Sequence, residues 1–182
     1  MPLRPYQLQA VADLRWSLGQ GRRSSLLVMP TGAGKTVVFT EIARSATIKS
    51  KSTLILVHRR ELIKQASAKL TAAGVEHGII AAGFAPSEHK VQVASVQTLV
   101  RRLTTTDFNP DLIIIDEAHH AVAGSWDKIT AQFSHARRIG VTATPSRLDG
   151  RGLGSHFEAL VSGPSVEPVS YTHLTLPTKR IV

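Results

Sequence analysis

Two short blocks of this chain carry residue types and spacings suited to hydrolysing a nucleoside triphosphate: Pro30-Thr31-Gly32-Ala33-Gly34-Lys35-Thr36 and Asp116-Glu117-Ala118-His119. In the first, glycines let the backbone curl until successive N–H groups point inward. A helix starting at Lys35 adds the positive end of its dipole, so Thr31, Gly32, Ala33, Gly34, Lys35 and Thr36 are candidates for holding phosphates. Lys35, expected as a solvent-facing charge, would reach the β- and γ-phosphates, and the Thr36 hydroxyl would ligate Mg²⁺. In the second block Asp116 suits the magnesium shell, and Glu117 suits orienting and deprotonating an attacking water. The expected catalytic groups are therefore Lys35, Asp116 and Glu117, and the expected metal ligands Thr36 and Asp116.

Such chemistry needs elements that bring the two blocks together. The apolar run Leu26-Leu27-Val28-Met29 precedes the first block and Val37-Val38-Phe39-Thr40-Glu41-Ile42 follows it, which predicts a buried strand, a glycine-rich turn and a helix start. The commonest form of this turn has a glycine five positions before Gly34, where this chain has Met29. Asp111-Leu112-Ile113-Ile114-Ile115 predicts a strand that delivers Asp116 and Glu117 at its carboxyl end, where open α/β sheets bind ligands. Further strands are expected at Ser25–Met29, Thr53–Val57, Val91–Ser95 and Arg138–Thr142, with a short one at His77–Ala81. Helices are expected from Pro5 to Leu18 and over Lys35–Ala46, Glu61–Ala73, Val96–Leu103 and Trp126–Phe133. This alternation predicts an α/β fold with a parallel sheet covered by helices on both faces.

The chain has 182 residues, enough for one such domain and too few for two. It lacks cysteine, which removes disulfides and thiolate metal sites and accords with an expected cytoplasmic location. No uncharged apolar stretch approaches membrane-spanning length, and Met1-Pro2-Leu3-Arg4 opens no signal peptide, so no membrane partner is expected. Twenty-two Lys and Arg against 13 Asp and Glu give a formal charge of +9, which favours polyanionic partners. Singly, Arg22-Arg23, Arg101-Arg102 and Arg137-Arg138 read as solvated surface pairs.

In motif order, residues 2–167 resemble superfamily 2 helicases and translocases, in particular the DEAD/DEAH-like group related to the helicase subunits of type I and type III restriction enzymes. Leu3-Arg4-Pro5-Tyr6-Gln7 resembles the adenine-reading motif, Pro30–Thr36 motif I, Asp116–His119 motif II and Thr142-Ala143-Thr144-Pro145 motif III. The family's motif I accepts Met29. Residues 147–154 with Phe157 also resemble this group, and Gly163-Pro164-Ser165-Val166 resembles its entry to a second domain. The resemblance implies a RecA-like P-loop NTPase domain that uses ATP and Mg²⁺, with Arg4, Tyr6 and Gln7 joining the nucleotide-binding residues. Gln7 also has its own chemical rationale, because a side-chain amide can donate to one edge atom of adenine and accept from N6. Alone it would read as an ordinary exposed helix residue.

Val57-His58-Arg59-Arg60-Glu61-Leu62 resembles motif Ia and Ser95-Val96-Gln97-Thr98-Leu99 the nucleic-acid motif after it, which implies that Arg59, Ser95, Gln97 and Thr98 grip DNA or RNA mainly through the phosphate backbone. The alternative for each is helix capping or solvent contact. The resemblance gives His119, Thr142 and Thr144 a coupling role between nucleotide and strand. A metal site at His119 and His120 is disfavoured, since adjacent histidines do not share a helix face and Mg²⁺ prefers oxygen.

The resulting expectation is the ATP-binding half of a helicase or translocase, inactive in unwinding as a fragment. A second RecA-like domain is missing, and a nuclease or restriction subunit is a possible partner. The alternatives are a noncatalytic nucleotide- or nucleic-acid-binding module, a helicase subunit of a restriction system, and a P-loop kinase, which the pairing of Asp-Glu-Ala-His with Thr-Ala-Thr argues against. Residues 1–168 are expected to form the domain. Residues 169–182 fit no strand or helix, and Ser170–Thr178 resembles translated sequencing-adapter read-through, so this tail is expected to be foreign and unstructured.

Overall fold

The computed structural model describes residues 3–118, 124–144, 153 and 156–163. The element order is α1 (Pro5–Gly19), β1 (Ser24–Val28), α2 (Lys35–Ile48), β2 (Thr53–Val57), α3 (Arg60–Ala72), β3 (Gly78–Ile80), β4 (Val91–Ser95), α4 (Val96–Arg102), β5 (Leu112–Asp116), α5 (Ser125–Gln132), β6 (Arg137–Thr142) and β7 (Ala159–Ser162). The strands form one seven-stranded sheet in the order β3-β4-β2-β5-β6-β1-β7. Every pairing is parallel, as the alternation of apolar runs with helical stretches predicts.

The strands read as continuous apolar runs because both faces are buried. Successive side chains point to opposite faces. Leu27, Ile55, Val57 and Ile114 therefore join one core with Val11, Leu14, Phe39, Ile42, Ile63 and Leu70 from α1, α2 and α3. Leu26, Leu54, Leu56, Ile113 and Ile115 join the other, with Leu99 of α4 and Trp126, Ile129 and Phe133 around α5. Among the described residues no helix is long and apolar enough to cross a membrane.

The loop residue that departs from the commonest glycine pattern is absorbed by this core. Met29 is fully buried, and its backbone N–H donates to the Thr142 carbonyl at 2.9 Å, which ties the start of the phosphate loop to the end of β6. Space for its side chain comes from Gly163, where an added Cβ would strike Met29 Cγ. Strand β7, which ends just before Gly163, is an edge strand that the sequence pattern does not reveal. It has four residues, and Leu160 within it is 42% exposed. The predicted second-domain entry from Pro164 to Val166 and the tail 169–182 lie outside the described residues.

Candidate active site

The carboxyl ends of β1 and β5 place the two chemical blocks on the same edge of the sheet. Beyond Val28 the chain turns through Gly32 and Gly34, at φ +81 and +84, and enters α2 at Lys35. These left-handed conformations suit glycine because a Cβ there would crowd the neighbouring carbonyl. A Cβ on Gly32 would meet only open space, so its absence leaves the concave side of the loop free for a ligand. Gly34 is instead closely approached: a Cβ there would strike the side-chain amide of Gln7.

Gln7 corrects the plain reading of an exposed helix position, being 5% exposed. Its Oε1 accepts from the Arg4 backbone N–H at 3.0 Å, which closes the first turn of α1 behind Pro5, and its Nε2 donates to the Ala33 carbonyl at 3.0 Å. The Tyr6 hydroxyl donates to the same carbonyl at 3.2 Å, and Arg4 Nη1 donates to that hydroxyl at 3.4 Å. Arg4, Tyr6 and Gln7 therefore brace the phosphate loop. The Gln7 amide keeps capacity for one more donation and one more acceptance, the complement that an adenine edge requires.

Lys35 is not the solvent-facing charge expected from sequence. It is 9% exposed, and its Nζ lies 3.8 Å from Glu117 Oε1. Burial of the first residue of α2 against the sheet edge brings its ammonium to the acidic pair. Asp116, the last residue of β5, is 7% exposed and accepts from the Glu117 N–H at 3.0 Å. Burial, reinforced by the negative charge of Glu117, pushes the Asp116 carboxyl up to about 6, against the opposing pull of that N–H bond and of Lys35. Glu117 leaves the strand at φ +51, a left-handed turn that costs energy for any residue with a Cβ, and half-exposed it faces the cleft.

That cleft, about 420 Å³, is lined by Thr31, His58, Arg59, Leu62, Glu117, Ala143 and Thr144. It thus joins the phosphate loop, the end of β2, the acidic pair and the loop after β6. In that last loop the Thr142 hydroxyl donates to the Thr144 carbonyl at 2.8 Å and accepts from the Thr144 N–H at 3.1 Å, fixing a tight bend. The expected strand-gripping residues gather at the ends of neighbouring strands, since β2 pairs with β4 and Val57 is opposite Ser95. Arg59 and Gln97 are exposed, whereas Ser95 and Thr98 are half-buried. Arg59 and Ser95 are the N-cap residues of α3 and α4, and neither caps its helix through its side chain. Thr36 is half-buried in the first turn of α2. His119, His120 and Pro145 lie outside the described residues.

A family model described as type III restriction enzyme, res subunit, matches residues 1–147. The chain belongs to this family. This res-subunit chain is 35% identical over 142 residues to a 51.5 kDa protein of a Lactococcus phage (isolate 7-9), covering 78% of this chain and 29% of that protein. It is 38% identical over 182 aligned residues to IRC3 of Saccharomyces cerevisiae, a candidate ATP-dependent helicase, covering 87% of this chain and 26% of that one. The chain thus spans under a third of the length of these relatives. Among solved structures, the UvsW helicase from bacteriophage T4 superposes with a TM-score of 0.73 at 20% identity, over 89% of this chain and 60% of UvsW. At that identity the likeness is one of fold, the RecA-like domain of superfamily 2 helicases.

Within this res-subunit domain, two relationships have no signal in the local sequence. One is the seat that Gly163 gives Met29. The other is a ring stack of His58 on Trp126, with centroids 6.5 Å apart and planes 14° from parallel. Both join positions far apart in the chain through strand neighbours that no periodicity specifies.

Proposed function

We propose that this domain binds ATP with Mg²⁺ and, as one half of a helicase or translocase, couples its hydrolysis to movement along a nucleic-acid strand. The observation that carries this reading is the convergence of Lys35 and the Asp116-Glu117 pair from separate strands, with Lys35 Nζ 3.8 Å from Glu117 Oε1. The residues fit the nucleotide and its metal. Gly32 leaves the loop open, Lys35 is aimed from a helix start, and the buried Asp116 carboxyl lacks the charge compensation that a divalent cation provides.

Thr36 and Asp116 would hold Mg²⁺, which when bound supplies charge neutralisation at the phosphate oxygens. Lys35 would then exchange Glu117 for phosphate, and Glu117, released, would orient water and take its proton. Arg59, Ser95, Gln97 and Thr98 supply backbone contacts to DNA or RNA on the neighbouring strand ends. A second RecA-like domain would contribute the arginine that such sites use, worth about 10³–10⁵ in rate.

The test is phosphate release by the full-length protein with and without single-stranded DNA or RNA. Stimulation by the strand, abolished in Glu117→Gln, is the expected result. Phosphate release that is absent, or unaffected by any strand, would favour a noncatalytic binding module instead.

A further inference from the structure

The strand order of the sheet brings together two residues that the ATP site and the strand-gripping residues do not account for. Strands β2 and β5 are neighbours, with Leu56 opposite Ile115. Two residues further along each chain stand His58 and Glu117, and both line the same cleft. One face of the His58 ring is covered by Trp126, 6.5 Å between centroids and nearly parallel. Trp126 is 5% exposed and packs in the core cluster that also holds Ile115 and Ala118, the residues on either side of the acidic pair. Next in sequence to His58 is Arg59, exposed at the start of α3 and facing the same cleft.

We propose that His58, clamped on Trp126, is a positioning residue that couples strand binding at Arg59 to the placement of Glu117, so that the strand and ATP-Mg bind cooperatively. This rests on the reading of the domain as an ATP-dependent helicase-type module. The physical basis is rigidity at one end and exposure at the other. The stacked ring cannot turn without leaving an indole embedded in the core, whereas Arg59 is free to move toward a phosphate. A displacement of Arg59 is therefore passed through one peptide unit to a ring whose position is fixed relative to β5 and hence to Glu117.

The experiment measures the affinity of the 182-residue protein for ATP-Mg alone and with saturating single-stranded oligothymidylate or, in parallel, oligouridylate. The wild type should bind ATP-Mg several-fold more tightly with one of these strands present. His58→Phe, which keeps the stack and loses the ring nitrogens, should bind each ligand within twofold of wild type yet show no such gain. The same gain in His58→Phe as in wild type would overturn the proposal. So would a wild-type protein that binds both ligands independently, and that result leaves the functional reading standing. Failure of the wild type to bind ATP-Mg at all would overturn both. Should His58→Phe not fold, the ring resonances of His58 in the wild-type protein decide. They should shift on adding ATP-Mg and, separately, on adding the strand, and no shift with either ligand would overturn the coupling.

Discussion

Lys35 Nζ lies 3.8 Å from Glu117 Oε1, so in the nucleotide-free fold the phosphate-loop lysine is held by the residue assigned to activate water. The pair is asymmetric, since Lys35 is 9% exposed and Glu117 27%. An ammonium buried to that degree needs an anion, and either the carboxylate or a phosphate can serve. Nucleotide binding is thus an exchange of partners for Lys35, and it frees Glu117 when the substrate arrives.

Asp116 makes the stability of the fold depend on pH in an unusual direction. Its folded-state carboxyl sits at about 6, above the ordinary aspartate value, so between those values the folded protein holds a proton that the unfolded chain has lost. Stability is therefore undiminished in acid and falls as pH rises through about 6, by roughly 3 kcal/mol in total. Asp116→Asn retains the acceptor for the Glu117 N–H and removes the charge. It should melt higher than wild type at pH 8, with the gap closing toward about pH 4, where the aspartate is neutral in both states. Thermal melts across that range check this, and a gap that widens in acid would contradict it.

Gly34 and Gln7 form a second coupled pair. Gly34→Ala combines a left-handed φ with a collision against the Gln7 amide, and the backbone part alone costs about 1–2 kcal/mol. Adding Gln7→Ala should recover the steric part and leave the backbone part. A double-mutant cycle read by denaturant unfolding should therefore be non-additive. Strict additivity would show that the brace between α1 and the phosphate loop carries no energy.

Met29→Ala should destabilise the domain by about 2–5 kcal/mol, the usual cost of emptying a fully buried methionine site. Gly163→Ala should also destabilise, by driving a methyl into Met29 Cγ, and that part of the loss should shrink in the Met29→Ala background. Equilibrium unfolding of the three variants checks both expectations. A Gly163→Ala variant as stable as wild type would contradict the packing account of β7.

Much of this was readable before any coordinates. The apolar runs ending at Met29 and Ile115, each followed by a chemically loaded block, specify strands that present those blocks at their carboxyl ends, and period alone assigns α1 through α5 within a residue or two. What could not be read depends on strand order. That β5 lies beside β2 and β6, with β1 next beyond β6, decides that Lys35 is buried against Glu117, that Thr142 receives the Met29 N–H, and that His58 reaches Trp126. None of these contacts leaves a trace in the composition or spacing of either partner. β7 escaped for a different reason, since a short edge strand with an exposed leucine has the pattern of a loop.

The claim on which the rest depends is that Lys35 and Asp116 build one ATP-Mg site. Isothermal titration of ATP into wild type, Lys35→Ala and Asp116→Asn, each with Mg²⁺ and with EDTA, tests it most directly. We expect wild type to bind in a Mg²⁺-dependent manner. Lys35→Ala should bind about tenfold or more weakly, as befits a lost charge-assisted contact, and the Mg²⁺ dependence should vanish in Asp116→Asn, with all three proteins folded by circular dichroism. Equal ATP affinity in the three proteins, with or without Mg²⁺, would contradict the account.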